Sequence, residues 1–516
     1  MQSLPGRPAS FWIDTAPGEP FPVLERGRSF DVAVLGAGIT GVTTALLLKR
    51  EGLKVALIEA GHVAHGASGY STAKVTSQHS LTYSNLRSHF GDDGAAAYGA
   101  ANQAGLALIV RLSEELGIDC DLRRKPAFTY TESAEERDTV RREAEDALAS
   151  GLPASYTEDL DLPWPVAGAV RFDDQAEFHP VKYLVALAQE VDGDGSAVFE
   201  GTRAVGVKDG EWPRVTTENG RKVTARHVVV ATHAPFLDRA GFFARMHPER
   251  SYVLGVKVRG AVPQGMYIST QGHSLRAQPV AGGELLLVGG ESHKLGHSDE
   301  VERYRALETY ARERFDVASI DWRWATHDHI PHDGVPYVGR LAPFSKNILV
   351  ATGFRKWGYA NGSAAALMLT DRIAGRSNPW ASTFDSTRLG PPQAASSFVK
   401  ENANVGRRFA MDRLKRGTVS GIAPGGGAIV RDGLGQSAVH RDDEGRLHAV
   451  SARCTHLGCI VDWNDAERSW DCPCHGSRFD TDGSVLSGPA VAPLARRSVR
   501  GRRRRLKDWW PWPTSA

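Results

Sequence analysis

Four of the five cysteines, Cys454, Cys459, Cys472 and Cys474, fall within 21 residues, and only Cys120 lies elsewhere. They sit in two short blocks, CTHLGC at 454–459 and CPCHGS at 472–477. Each block offers one thiol and one imidazole at close spacing, Cys454 with His456 and Cys472 with His475, with fifteen residues between the two pairs. Two thiolates and two imidazoles are donors for a transition-metal centre. Zinc accepts the same set, but zinc-finger spacing groups cysteine with cysteine and histidine with histidine, whereas here each loop gives one of each. So local a cluster is not a chain-wide disulfide framework.

A second group of residues has the spacing to cradle a nucleotide. GAGITG at 36–41 follows the apolar run DVAVL and precedes VTTALLLKREG, a helix closed by Gly52; KVALIEA then reads as a second buried strand, ending at Glu59. Gly36 permits the tight turn, Gly38 lets the main chain approach a pyrophosphate, and Gly41 lets helix and strand pack closely. Ile39 and Thr40 open a helix whose amino terminus faces the phosphates. Glu59 lies 18 residues after Gly41, where a carboxylate accepts both ribose hydroxyls. An acid there disfavours a 2′-phosphate and selects FAD or NAD over NADP.

The elements that must position these residues form a βαβ unit, which implies a parallel sheet covered on both faces. VTARHVVVATHAP at 223–235 supplies another buried strand, with its turn at Ala231 and Thr232; the stretch 347–375 is strand, glycine turn at Thr352 and Gly353, helix and glycine stop. Three such units far apart predict a discontinuous nucleotide part over about 30–80, 165–245 and 325–380. A substrate part fills about 80–165 and 245–325, with a charged helix in ESAEERDTVRREAEDALASG and alternating strands such as ELLLVGG. Residues 1–380 thus form one oxidoreductase unit. Residues 381–410, poor in apolar period, read as a linker. Residues 411–500 are short runs parted by glycine turns, as in a small all-β domain, and 501–516 are a basic and aromatic tail.

Three stretches carry a family resemblance. GHVAHGASGYSTAKVTSQH contains Gly66, Ser68 and Gly69; PHDGVPYVG contains Asp333, Gly334, Pro336 and Gly339; NILVATGFRKWGYANGSAA contains Thr352, Gly353 and Gly358. Over about residues 30–380 the chain resembles the D-amino-acid oxidase and glycine oxidase superfamily of flavoproteins. That resemblance implies FAD, bound by these motifs, in an α/β Rossmann-like domain with an inserted α+β substrate domain. No cysteine stands beside the motifs for a thioether to the flavin. Lys74, His79, Arg355 and Lys356 lie next to them and are the candidate catalytic residues, able to supply charge or bind a substrate carboxylate. His327, His329 and His332 in THDHIPH invite a metal reading, which is set aside because no carboxylate cluster accompanies them and the family places this segment beside the flavin.

The paired Cys-x-His and Cys-x-x-His blocks resemble the Rieske [2Fe–2S] family. The resemblance implies that Cys454 and Cys472 hold one iron and His456 and His475 the other, which raises the potential above that of an all-cysteine cluster. It also implies a disulfide between Cys459 and Cys474, despite a reducing compartment. Ser477 matches the serine that donates to a cluster sulfide. Phe479 stands where high-potential members have a tyrosine, whose hydroxyl bonds a ligand sulfur. Without that donor the reduced cluster is less stable, so the potential falls in the middle or lower part of a span of roughly −150 to +300 mV.

Together the sites make a two-electron to one-electron converter. The expected function is oxidation of an amine or amino-acid-like substrate by FAD, transfer to the cluster, and delivery to an external acceptor. The order of domains, with ENANVG in the linker and WDCPCHGSRFD at the cluster, resembles bacterial FAD/Rieske fusion oxidoreductases. A Rieske oxygenase would need a further iron site, but only 41 residues follow His475 and none is histidine. A ferredoxin reductase would need a second GxGxxG unit, and none is present. A redox sensor without a dedicated organic substrate is the alternative. The chain of 516 residues is 41% hydrophobic and 24% charged with net charge +2, an ordinary globular composition without a membrane span or signal core, so a cytoplasmic location is expected. Eight basic residues lie between Arg496 and Lys507, followed by DWWPWP. This tail is read as solvated or as docking an acidic acceptor or an anionic membrane surface; nucleic acid is not expected as a partner.

Overall fold

The run DVAVL lies at the centre of a parallel sheet, as its β-branched, all-apolar composition dictates. Strand Arg28–Leu35 pairs in parallel with Val55–Ile58 on one side (Val32 opposite Val55) and with Lys222–Val230 on the other (Ala33 opposite Val228). Ile348–Thr352 and Ala197–Phe199 extend this eight-stranded sheet in parallel, and Tyr337–Arg340 closes one edge antiparallel. Helices Ile39–Arg50 and Gly358–Ile373 pack together over it, and the latter packs on the long helix Tyr83–Glu115. The computed structural model describes residues 4–498 apart from 17, 238, 297–298, 392–394, 415–416 and 433–434. The tail at 501–516 lies outside the described residues.

A ten-stranded sheet carries the inserted part. Val317–Pro331 pairs with Met246–Val258 over its whole length, and the sheet continues through Gly283–Lys294, Ser274–Val280, Met266–Ser269, Arg123–Thr131 and Gly168–Glu177. Two boundaries therefore differ from the sequence reading. Gly168–Glu177 pairs antiparallel with Arg123–Thr131, so it belongs to the substrate sheet and not to the nucleotide part. Residues 325–331 likewise finish a strand of that sheet. The amino-terminal segment is tied in as well: Arg7–Pro8 adds a short parallel edge to Trp322 and Arg323, and Trp12 is fully buried with its Nε1 donating to the Ser71 carbonyl at 2.7 Å.

The predicted linker contains helices, Ala381–Phe384 and Ala395–Met411. Alanine, lysine, glutamate and arginine favour a helix there, and the longer one is amphipathic, a period that the linker reading missed. Val405 of the longer helix packs on the core of the last domain, and Asn402 Nδ2 donates to the Ala244 carbonyl at 2.9 Å. That last domain is two four-stranded antiparallel sheets around buried Val461, Trp470 and Phe479. No helix among the described residues is long and apolar enough to cross a membrane.

Candidate functional site

A cavity of about 960 Å³ opens at the carboxyl ends of the parallel strands. Gly36, Gly38, Ile39, Thr40, Glu59, Gly66, Ser68, Ala231 and Thr232 line it. The helix beginning at Ile39 points its free N–H groups there, and Ser68 Oγ accepts from Ile39 N at 3.1 Å. A Cβ on Gly38 would meet Ser68 Oγ at 3.0 Å, and Gly66 faces open space. Glu59 accepts from Ala37 N at 2.7 Å and from Gly61 N at 2.8 Å, leaving a second lone pair on each oxygen. Burial pushes its carboxyl up, and those two main-chain bonds oppose the shift. An anion-binding helix start, a glycine wall and a placed carboxylate fit a dinucleotide such as FAD.

Gly358 lines the cavity too, whereas Gly41, Gly69, Gly339, Thr352 and Gly353 do not reach it. Gly41 serves packing, since a Cβ there would lie 1.8 Å from the Gly36 carbonyl oxygen. Gly69 backs on the Ala64 carbonyl, and Gly339, at φ 143°, on Ser386. Gly353, at φ 79°, backs on Pro331 and Met246, and Thr352 is buried and donates to the His233 carbonyl at 2.5 Å. Of the four candidate catalytic residues only Lys356 lines the cavity, and it is paired with Glu249 at 3.0 Å. Lys74 is buried, with Nζ donating to the Tyr267 carbonyl and Ser274 Oγ; burial and then Arg276 hold its pKa well below the usual range. His79 is sealed between Tyr98, the Thr76 carbonyl and the Trp357 ring, and burial pushes its pKa down to about 3. Arg355 donates to the Gly334 carbonyl. These three hold the main chain around the site.

The metal-ligand candidates converge. Cys454 and Cys472 are buried and their sulfurs share a hydrogen bond, which favours the thiolate on Cys454 and the thiol on Cys472. The His456 and His475 rings stand edge to face with centroids 5.0 Å apart. Cys459 and Cys474 are joined as a disulfide that ties the two loops. Cys472 also lies within 4.8 Å of those two sulfurs, but an oxidised pair offers no thiolate, so the fourfold Cys454, Cys472, His456, His475 set is the one that suits two irons. Cys120 is buried against Ser113 Oγ at 3.7 Å. Thiol titration of the unfolded, metal-free protein should find three free thiols; five would rule the bridge out.

Ser477 is fully buried, lies against Cys454 and accepts from Ala490 N at 3.0 Å. Phe479, also fully buried, brings no hydroxyl to the cluster loops. A redox titration of the holoprotein is therefore expected to give a midpoint below about +250 mV, inside the family span. A higher value would mean that another donor replaces the missing tyrosine.

The last domain is seated on the flavin cavity, which the linear sequence does not reveal. Glu467, Arg468, Arg478, Leu486 and Gly488 complete the wall that Gly36 and Glu59 begin. His329 Nε2 lies 3.3 Å from the His475 carbonyl, and Phe243 stands edge-on to the His475 ring at 5.4 Å. His327 and His329 share a face of their strand by alternation, and His233 stands within 5.8 Å and 5.0 Å of them, ring to ring. His332 leaves this group and stacks on His247. Beside them Arg250, 1% exposed, reaches across to Asp471 at 2.8 Å and Glu467 at 3.5 Å, and Arg478 bonds both acids. Burial opposes ionisation of Asp471, but Arg478 and Arg250 outweigh it and hold the carboxyl far below the usual range. The THDHIPH run was the one available signal; Arg250 stands alone in sequence.

The FAD dependent oxidoreductase family matches residues 31–372, and the Rieske [2Fe-2S] domain family matches residues 412–498. The Rieske 2Fe-2S iron-sulfur protein YhfW of Bacillus subtilis (strain 168) is 37% identical over 493 residues, 94% of this chain and 97% of that one. Gamma-glutamylputrescine oxidoreductase of Escherichia coli (strain K12) is 24% identical over 384 residues, 69% of this chain and 86% of that one. Glycine oxidase from Geobacillus kaustophilus shares the fold, with a TM-score of 0.59 at 20% identity over 70% of this chain and 99% of that one.

Proposed function

This chain belongs to the FAD dependent oxidoreductase family and carries a Rieske [2Fe-2S] domain, and from that premise we propose that it oxidises an amine or amino-acid-like donor and passes the electrons, one at a time, through the Rieske cluster to an external acceptor. The observation that carries this reading is the shared wall: one cavity is lined by the nucleotide-binding glycines and by the cluster domain. When bound, FAD supplies a two-electron acceptor and the cluster a one-electron relay.

The protein's own residues have separable tasks. Glu59 and the helix start at Ile39 would hold the dinucleotide; Cys454, Cys472, His456 and His475 would hold the irons. His329 fixes the His475 loop through its carbonyl, and the Arg250, Asp471, Glu467 and Arg478 group keeps the two domains in register. Gly476, at φ 82°, allows the close approach, since a Cβ there would stand 3.2 Å from Pro248 and 3.3 Å from His327. The basic tail and its docking role fall outside the described residues.

A screen of amine, amino-acid and hydroxy-acid donors with an artificial acceptor tests the reading. Anaerobic bleaching of the flavin by an amine or amino acid, followed by the reduced spectrum of the cluster, is the expected result. Silence towards every organic donor would favour the sensor.

A further inference from the structure

Three carboxylates line the cavity among the described residues, and two are committed. Glu59 bonds the Ala37 and Gly61 amides, and Glu467 is held by Arg478 and Arg250. The third, Asp328, has a side chain only 14% exposed. Among the described residues its one ion-pair contact is His233 Nε2 at 4.0 Å, beyond hydrogen-bond reach. That nitrogen already lies 3.0 Å from the His327 carbonyl. A carboxylate so enclosed, with no donor among the described residues, is an acceptor open to a ligand in the cavity it lines.

The cations of the same wall are already used. Arg203 donates to the Val485 carbonyl at 2.9 Å, Arg323 to the Leu4 and Pro5 carbonyls at 3.2 Å, and Lys356 pairs with Glu249. Arg468 grips Asp443 at 2.7 Å, and Arg478 grips Glu467 and Asp471. Among the described residues every arginine and lysine of this wall already bonds a protein group, so none stands unbonded to anchor a substrate carboxylate. Asp328 also stands on the side of its strand that faces the nucleotide part. Trp324, four residues earlier and on the same face by alternation, donates Nε1 to the Tyr70 carbonyl at 2.9 Å, next to the glycine-serine loop of the cavity.

We propose that Asp328 is the specificity-determining residue of this cavity: it receives the ammonium group of a cationic amine, and the site rejects donors that depend on an α-carboxylate anchor. This rests on the reading of the chain as an amine-oxidising flavoenzyme and narrows its substrate class. An ammonium against a partly desolvated carboxylate gains a charge-assisted hydrogen bond, while an amino acid brings its own carboxylate towards a like charge.

The test titrates the holoprotein anaerobically with n-butylamine, 1,4-diaminobutane and glycine, reading binding as a perturbation of the flavin spectrum and turnover as its bleaching. Both amines are expected to bind at least about tenfold more tightly than glycine, a difference of about 1.4 kcal/mol. Asp328→Asn should weaken amine binding at least about tenfold with FAD content unchanged, and Asp328→Glu should recover part of it. Amine binding and bleaching that persist unaltered in Asp328→Asn would overturn the role of Asp328 and leave the amine reading standing. Loss of FAD from that variant would reassign Asp328 to the cofactor, and glycine binding more tightly than n-butylamine would overturn the substrate class. A wild-type flavin that no amine perturbs would sink both.

Discussion

Arg250→Ala is expected to destabilise the docked protein by about 3–5 kcal/mol, the usual cost of removing one partner from a buried ion pair. Arg250 comes from the strand Met246–Val258 of the oxidoreductase part, and both acids it meets, Asp471 and Glu467, come from the cluster domain. Arg250 and Asp471 are the buried members of this group, 1% and 9% exposed, while Glu467 and Arg478 face the cavity; Asp471 adds bonds from Asn464 Nδ2 at 3.0 Å and Ser469 Oγ at 2.9 Å. With Arg250 gone, two carboxylates share Arg478 alone. The variant should show an earlier denaturant midpoint and faster proteolysis between residues 381 and 411, where the chain crosses between domains. Arg250→Lys, which keeps the charge but loses the fork, should fall between the two. A shift of under about 1 kcal/mol, the range of a surface pair, would mean that the domains are held together elsewhere.

Cys472→Ser has the other large effect. Cys472 is buried and is one of the two thiols that would hold the cluster, so the variant should lose its visible absorption and electron paramagnetic resonance. FAD should stay, because neither Cys472 nor Cys454 lines the flavin cavity. A donor should then still bleach the flavin, while reduction of a one-electron acceptor falls at least about tenfold, equivalent to about 1.4 kcal/mol on the barrier. Unchanged acceptor reduction would take the cluster off the electron path.

Much of this was legible in the linear chain because both sites are local. The glycine turn, its helix and Glu59 span about 25 residues, and the four candidate cluster ligands fall within 22. Spacing alone is informative when the residues that share a ligand also share a loop. The candidate catalytic residues were not legible for the opposite reason. Lys74, His79 and Arg355 are near the flavin motifs in sequence, but each turns into the protein to satisfy main-chain carbonyls, and only burial and bonding reveal that. Asp328 and Arg250 had no signal of their own. Their meaning comes from what crosses the space between elements far apart in the chain: the cluster domain in one case, an unfilled donor position in the other. The helix at 395–411 was missed although it is amphipathic, because few apolar residues carry its period among small and charged ones; it docks on other parts of the chain through Asn402 and Val405.

Electrons are expected to cross from the flavin cavity to the cluster within one chain, through the interface that His329 and Arg250 hold. Following cluster reduction anaerobically after mixing holoprotein with a saturating donor, over a hundredfold range of protein concentration, tests it most directly. A cluster signal that rises after flavin bleaching with a rate constant independent of protein concentration is the predicted result. A rate that scales with concentration, or a cluster that stays oxidised beside a bleached flavin, would contradict the account.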